Sequence, residues 1–243
     1  MLSYLLDFLL GIGIGLIAGL FGVGGGFLIV PALTILGLPI HVAIGTSLAC
    51  IVLSSLSAAV THIRRGTVLY RVVAIKEVFS VPAALVGAYA SSLLPEDILR
   101  FMFILLLLYL SFKMWRDETP TDLEGGELKT LRISAVGILS GLISGLLGIS
   151  GGILNVPLFH AYVRIPMKYA VGTSSLALFF TALAASFGHY RLGQVDLHTA
   201  LLLAPGLLVG ARIGAILVHR AHPRHLRKAF SAILVVVAIK MLL

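Results

Sequence analysis

Two pairs of hydroxyls and two runs of glycine are the residues of this chain best suited to hold a small ligand. Thr46 and Ser47 follow Gly45, and Thr173 and Ser174 follow Gly172, so one Gly-Thr-Ser triplet occurs twice. Gly24, Gly25 and Gly26 close one glycine run, and Ser150, Gly151 and Gly152 close the other. A glycine run that opens into a helix leaves the first N–H groups of that helix free and sets the positive end of its dipole beside them. That is an anion site without any charged side chain. The hydroxyls either donate to the same anion or bond to carbonyls one turn back. Asn155 stands where the first copy has Ile29, and its amide suits either a ligand contact or a helix-to-helix bond. Arg212 lies about 10 Å inside an apolar run at helical rise. Its guanidinium either snorkels to the basic end of that run or faces the interior and meets an anion. His62 and His189 sit at matching positions beside arginines. Histidines titrate near neutral pH, which makes the pair candidates for a proton-linked role as well as for ordinary solvated helix ends.

Other chemistries lack their residues. The chain has no HExxH, no P-loop lysine, no Ser/His/Asp pattern and no set of intramembrane carboxylates of the kind that binds cations. A lone Cys50 excludes an intramolecular disulfide and a multi-cysteine metal site. Gly13-Ile-Gly15-Leu-Ile-Ala18 resembles a dinucleotide fingerprint, but no strand precedes it and its window is apolar throughout. Neither an enzyme nor a bound cofactor or metal is expected.

The elements that must position these groups are membrane helices. Hydrophobic residues make up 59% of the 243 and charged residues 12%, about half the charged share of a soluble domain, and the mean hydropathy is +1.08. A bilayer core needs roughly 20 apolar residues per helix, and the chain offers several such runs. The net charge of +8 would suggest nucleic acid in a soluble protein. Here the Lys and Arg fall in short loops between apolar runs and read as topology signals, with the lipid bilayer as the partner.

The chain is a duplication. Gly11 to Pro31 and Gly137 to Pro157, set at an offset of 126, agree at 13 of 21 positions. Residues 1–115 form repeat 1, with its break near 21–26. Residues 116–130 form a polar linker, and residues 131–243 form repeat 2, with its break near 147–152. Each repeat divides into an apolar helix, a short apolar helix after the break, and three longer runs. The predicted fold is all-α and polytopic: two inverted-topology repeats, each a re-entrant helical hairpin plus three transmembrane helices. Counting Lys and Arg fixes the orientation, since short cytoplasmic loops carry the excess. Inverted halves place 13 inside against 2 outside, whereas parallel halves split them 8 to 7. The linker is then cytoplasmic, and the two hairpin tips enter from opposite faces and meet near the midplane. Broken backbone at that depth is tolerated only where it lines a cavity or is buried in protein. Gly11/Gly15/Gly19, Gly137/Gly141/Gly145 and Gly206/Gly210/Gly214 recur every fourth residue and predict close helix packing. Pro82 with Gly87 matches Pro205 with Gly210, and Lys76 with Glu77 reads as an interfacial pair.

The doubled pattern GLIAGLFGVGGGFLIVP, Gly45-Thr46-Ser47 and His62-Ile-Arg-Arg-Gly66, repeated as GLISGLLGISGGILNVP, Gly172-Thr173-Ser174 and His189-Tyr-Arg-Leu-Gly193, resembles the TauE/SafE family of sulfite exporters. The resemblance covers nearly the whole chain. It implies a multi-pass plasma-membrane permease for a small anion, with sulfite, sulfoacetate and related organosulfur compounds as candidates. The expected function is therefore a secondary transporter of a small sulfur-containing anion held between the two breaks. A non-transporting membrane scaffold and an anion channel are the alternatives.

Overall fold

The computed structural model of the chain describes residues 2–21, 26–116, 129–149, 152–217 and 223–242. Among them are ten helices: α1 (Leu2–Phe21), α2 (Gly26–Ile35), α3 (Ile40–Arg64), α4 (Tyr70–Leu93), α5 (Glu96–Arg116), α6 (Thr130–Leu147), α7 (Gly152–Ala161), α8 (Met167–Arg191), α9 (Leu197–Leu217) and α10 (Pro223–Leu242). The order long, short, long, long, long is run through twice. In the described residues α3, α4, α6 and α8 are each long and apolar enough to cross a membrane. The ten residues of α2 and of α7 reach only about 15 Å. Local chemistry sets the same boundaries in both halves. Pro39 and Pro166 precede α3 and α8 with nearly identical extended backbone, φ −53°, ψ 139° and φ −54°, ψ 141°, the conformation that the proline ring favours.

The halves are interleaved. Helix α1 packs on α9, α6 packs on α4, α3 packs on α8, and α5 packs on α10. Two hydrogen bonds fix how α3 and α8 run. The N–H of Asp196, just past the end of α8, donates to Thr46 Oγ1 near the start of α3 at 3.0 Å. The N–H of Leu69, just past the end of α3, donates to Thr173 Oγ1 near the start of α8, also at 3.0 Å. Each helix therefore begins where the other ends, and the two lie antiparallel. Ser111 of α5 and Ser231 of α10 each donate to the other's carbonyl, at 3.0 and 2.9 Å.

The glycine stripes act as predicted, and they bring backbones together across the halves. A Cβ at Gly137, Gly141 or Gly145 would run into the carbonyl oxygen of Lys76, Ser80 or Ala84, and one at Gly11 or Gly15 into that of Leu203 or Leu207. Membrane helices gain little from apolar burial against one another, so such close approach is what holds them. The stripes also correct the register of the duplication. Gly137 corresponds to Gly11 at the offset of 126, so Lys76 is matched to Leu203 and Ser80 to Leu207. From α3 onward the offset is 127, as the starts of α4 at Tyr70 and α9 at Leu197 confirm. The predicted match of Pro82 with Pro205 is thus one turn out of structural register, because a proline can be moved along a helix more freely than a glycine contact.

A Cβ at Gly141 would lie 2.9 Å from both Cα and Oγ of Ser80. Replacing Gly141 with Val is expected to destabilise the purified protein by about 1–3 kcal/mol. Gly13→Ala, where nothing lies within 4 Å, is expected to leave the thermal unfolding curve unchanged.

Candidate functional site

Ser47 joins the two breaks. It is fully buried on α3, and its hydroxyl lies 3.2 Å from the carbonyl oxygen of Gly26, the first residue of α2. The same hydroxyl lies 3.0 Å from the carbonyl oxygen of Gly148, the residue after α6. One proton is shared between two carbonyls that are 122 residues apart in the chain. Gly148 ends α6 in the left-handed region, φ 66°, with its N–H on the Ser144 carbonyl, a conformation natural to glycine at a helix end. The contact therefore pairs the start of one short helix with the end of the opposite long one. Gly24, Gly25, Ser150 and Gly151, the predicted tip residues, lie outside the described residues, while Gly26 and Gly152 open α2 and α7.

Near its start, α6 lies against the end of α7, where Arg132 donates to the Tyr162 carbonyl at 3.0 Å. Near its end, the Gly145 carbonyl accepts from Nε2 of His189 at 2.8 Å, at the far end of α8. The start of α6 thus lies by the end of α7, and its last turn lies by the end of α8. Eighteen residues make about 27 Å of helix, so the first limb does not stop halfway, and only the second limb, α7, is a half-length helix.

Around these breaks lie polar groups without partners. Asn155, in the first turns of α7, is fully buried, and neither its Nδ2 nor its Oδ1 has a hydrogen-bond partner. Ser174, the counterpart of Ser47 on α8, is buried with its Oγ unpartnered. So is Ser144, in the last turn of α6. An unsatisfied buried amide or hydroxyl costs about 1–3 kcal/mol. Three such groups, two beside the α6–α7 break and one on the adjoining α8, are what a polar ligand would repay.

The remaining predicted residues divide. Thr46 and Thr173 are fully buried and accept from the backbone, so they hold helix starts together. His189 is buried between the Gly145 carbonyl and Gln194 Oε1, each at 2.8 Å. A carbonyl only accepts, so Nε2 carries a proton there. His62 is half-buried and its Nδ1 lies 3.1 Å from Thr67 Oγ1. Both histidines brace the turn after their own helix. Arg212 lies on the exposed face of α9, so its guanidinium points away from the polar groups of the interior, as the snorkelling alternative requires.

Sequence reasoning missed one cluster. Lys76 is not interfacial but fully buried, with Nζ 2.8 Å from Glu77 Oε1, 3.0 Å from Ser80 Oγ and 2.8 Å from Thr181 Oγ1. Thr181 Oγ1 in turn lies 2.9 Å from Glu77 Oε2 and 2.9 Å from Ser80 Oγ. The signal lay in the register. Ser80 sits one turn after Lys76 on the stripe-facing side of α4, a side turned into protein.

The chain matches the family model described as sulfite exporter TauE/SafE over residues 7–241. It belongs to that family. Among its relatives, the probable membrane transporter protein YunE of Bacillus subtilis is 32% identical over 240 residues, 88% of each chain. A probable membrane transporter protein of Haemophilus influenzae is 30% identical over 260 residues, 98% of each. MJ0441 of Methanocaldococcus jannaschii, another probable membrane transporter protein, is 28% identical over 251 residues, 97% of this chain and 94% of its own. No solved structure matches. This TauE/SafE member is accordingly a multi-pass membrane protein of a transporter family, and its breaks and unpartnered polar groups stand in that context.

Two outcomes test the geometry. Ser47→Ala leaves two buried carbonyls without their shared donor and is expected to destabilise the protein by about 1–3 kcal/mol in thermal unfolding, with Ser54→Ala, exposed to no cross-half contact, as the mild comparison. Asp196, before α9, accepts from the Thr199 N–H at 3.1 Å and the Thr199 hydroxyl at 2.6 Å. Burial pushes its carboxyl up, but the hydroxyl and N–H of Thr199, the N–H of His198 and the His198 charge outweigh it and hold the carboxyl below its ordinary value. A lowered folded value stabilises above the unfolded one and loses that contribution as pH falls through the folded one. Asp196→Ala is therefore expected to cost about 0.5–2 kcal/mol near neutrality, and pH-dependent melts should show wild type and variant converging in acid, below the usual carboxylate range.

Proposed function

We propose that this protein is a secondary transporter of a small sulfur-containing oxyanion, such as sulfite, sulfoacetate or a related sulfonate, and that it catalyses no reaction. The anion binds beside the two breaks. The N–H groups of Gly26 and Gly152, which open α2 and α7, those of Gly24, Gly25, Ser150 and Gly151 in the glycine runs before them, the Asn155 amide and the Ser174 hydroxyl meet its oxygens, with Ser47, Thr46 and Thr173 holding the frame. The observation that carries this reading is Asn155, a fully buried amide with no partner on either of its polar atoms, at the start of a half-length helix. Helix starts supply a positive dipole end, and interrupted helices of this kind are where secondary transporters bind anionic groups. The family description supplies the sulfur chemistry.

The two repeats are of inverted topology, each a re-entrant helical hairpin with a short second limb plus three transmembrane helices. The antiparallel course of α3 and α8 and the distribution of Lys and Arg support this arrangement. The linker at 116–130 then faces the cytoplasm, and the protein resides in the plasma membrane. Alternating access follows from rocking of two bodies that cut across the repeats, since α1 packs on α9 and α6 on α4.

Purified protein should be stabilised by its substrate in a thermal-shift series of sulfite, thiosulfate, sulfoacetate and chloride. A ligand present at about a hundred times its dissociation constant adds roughly 2.7 kcal/mol. Asn155→Leu should remove most of that shift and raise the concentration needed for uptake into proteoliposomes. Absence of both shift and flux with every sulfur oxyanion would overturn the substrate assignment, and an undiminished shift in the leucine variant would remove Asn155 from the site.

A further inference from the structure

The duplication supplies an internal control for the buried ion pair. At the register fixed by the glycine stripes, Lys76, Glu77 and Ser80 of α4 correspond to Leu203, Ala204 and Leu207 of α9, and Thr181 of α8 corresponds to Ser54 of α3. Leu203, Ala204 and Leu207 are buried to much the same degree as Lys76 and Ser80, and Ser54 only returns its hydroxyl to the Ile51 carbonyl of its own helix. The same packing against a glycine-striped helix is thus closed by apolar side chains in one half and by an ion pair in the other. The architecture does not require the charges. A buried pair contributes little net stability, and well-packed apolar residues of similar volume serve at least as well. Ionisable groups kept inside a membrane domain are functional candidates for that reason.

From this asymmetry we infer that Lys76, Glu77, Ser80 and Thr181 form a proton site, with Glu77 as the group that takes the proton during the transport cycle. The inference rests on the reading of the chain as a carrier. Lys76 Nζ spends its three N–H donors on Glu77, Ser80 and Thr181, so the ammonium is fully satisfied and has none left for a substrate anion. Glu77 is the member with access: its side chain is 11% exposed where that of Lys76 is 0%. Among the described residues, no other charged group acts on the pair. Helix α6 turns its glycine stripe toward α4. On α8 the nearest ionisable group is His189, two turns beyond Thr181 and engaged with Gly145 and Gln194. On α4 itself Arg71 is exposed.

The step balances simply. With Glu77 ionised the pair is neutral. When a proton from water joins a Glu77 carboxylate oxygen, the pair carries one positive charge and the new O–H donates to Thr181 Oγ1, 2.9 Å from Oε2, whose own hydroxyl proton turns to Ser80 Oγ. One proton thereby offsets one negative charge on a bound anion. Lys76 keeps its proton throughout and holds the carboxyl in place.

The test reads Glu77 directly. Infrared difference spectra of the lipid-reconstituted protein across pH should show a protonated-carboxyl C=O band that grows as pH falls and is missing in Glu77→Gln. Because Glu77→Gln leaves Lys76 charged without its counter-ion, a change that destabilises the fold, Lys76→Leu/Glu77→Ala, which copies the Leu203 and Ala204 pair, is the second variant. It is expected to fold, with an unfolding temperature close to that of wild type, and to lack the band. In proteoliposomes loaded with sulfite or sulfoacetate, a pH gradient should drive accumulation in wild type and fail to do so in either variant. A wild-type spectrum identical to that of the variants at every pH would overturn the proton site, as would accumulation that both folded variants sustain. If none of the tested anions moves, the substrate assignment fails alone, and the infrared titration still decides whether Glu77 takes a proton.

Discussion

A helix broken inside a membrane leaves carbonyls and N–H groups with no water to turn to, and the rest of this structure depends on where they find partners. Most of the partners come from the other half. The carbonyl after α6 receives the hydroxyl of Ser47 from α3, and the carbonyl of Gly145 receives the ring of His189 from α8. The N–H groups that begin α4 and α9 reach Thr173 and Thr46 across the central helix pair. The Gly145–His189 contact stays within the second repeat, but the other three join the two repeats, so neither repeat closes the set alone.

The same interdependence determines which parts can move together. Glycine stripes bind α6 to α4 and α1 to α9 by backbone contact, an interface that cannot slide without lifting whole ridges out of register. The units that remain intact in any rocking motion are therefore the group built on α4, α6 and α8 and the group built on α1, α3 and α9. Each contains elements of both repeats. Ser47, bonded to a break in each group, lies across the boundary, and the groups meet along α3 and α8, the antiparallel pair at the centre.

Much of this was legible in the sequence because it depends on small residues whose roles are local. Glycines at every fourth position announce close helix packing, and prolines before α3 and α8 announce where those helices start. A repeated Gly-Thr-Ser marks a contact made twice. What was not legible depends on how far a helix runs and which way it turns. Ten-residue α7 reads as half a crossing, but only the His189 contact reveals that the end of α6 lies by the end of α8. Lys76 and Glu77 sit one and a half turns into α4, a depth that suits an interfacial pair as well as a buried one. Their burial follows from the face they occupy, and that face is set by Gly137 and Gly141 on a helix more than fifty residues away. Arg212 illustrates the converse, a charge at intramembrane depth whose face, once α1 has claimed the other side of α9, is the outer one.

On the proposed carrier reading, two inverted copies with identical sequences would make the inward-open and outward-open states two-fold related and equal in energy, and such a carrier would have no preferred resting state. The departures from symmetry are what can separate those energies. Asn155 faces Ile29 as its counterpart, and Lys76 and Glu77 face Leu203 and Ala204, so the polar and ionisable exceptions fall on α7 and α4. Both helices pack against α8 or α6, on one side of the boundary that Ser47 spans. A polar ligand or a proton bound there interacts with one body and not with its symmetry mate. Its binding free energy therefore differs between the two states, which is the condition a ligand must meet to shift a conformational equilibrium at all.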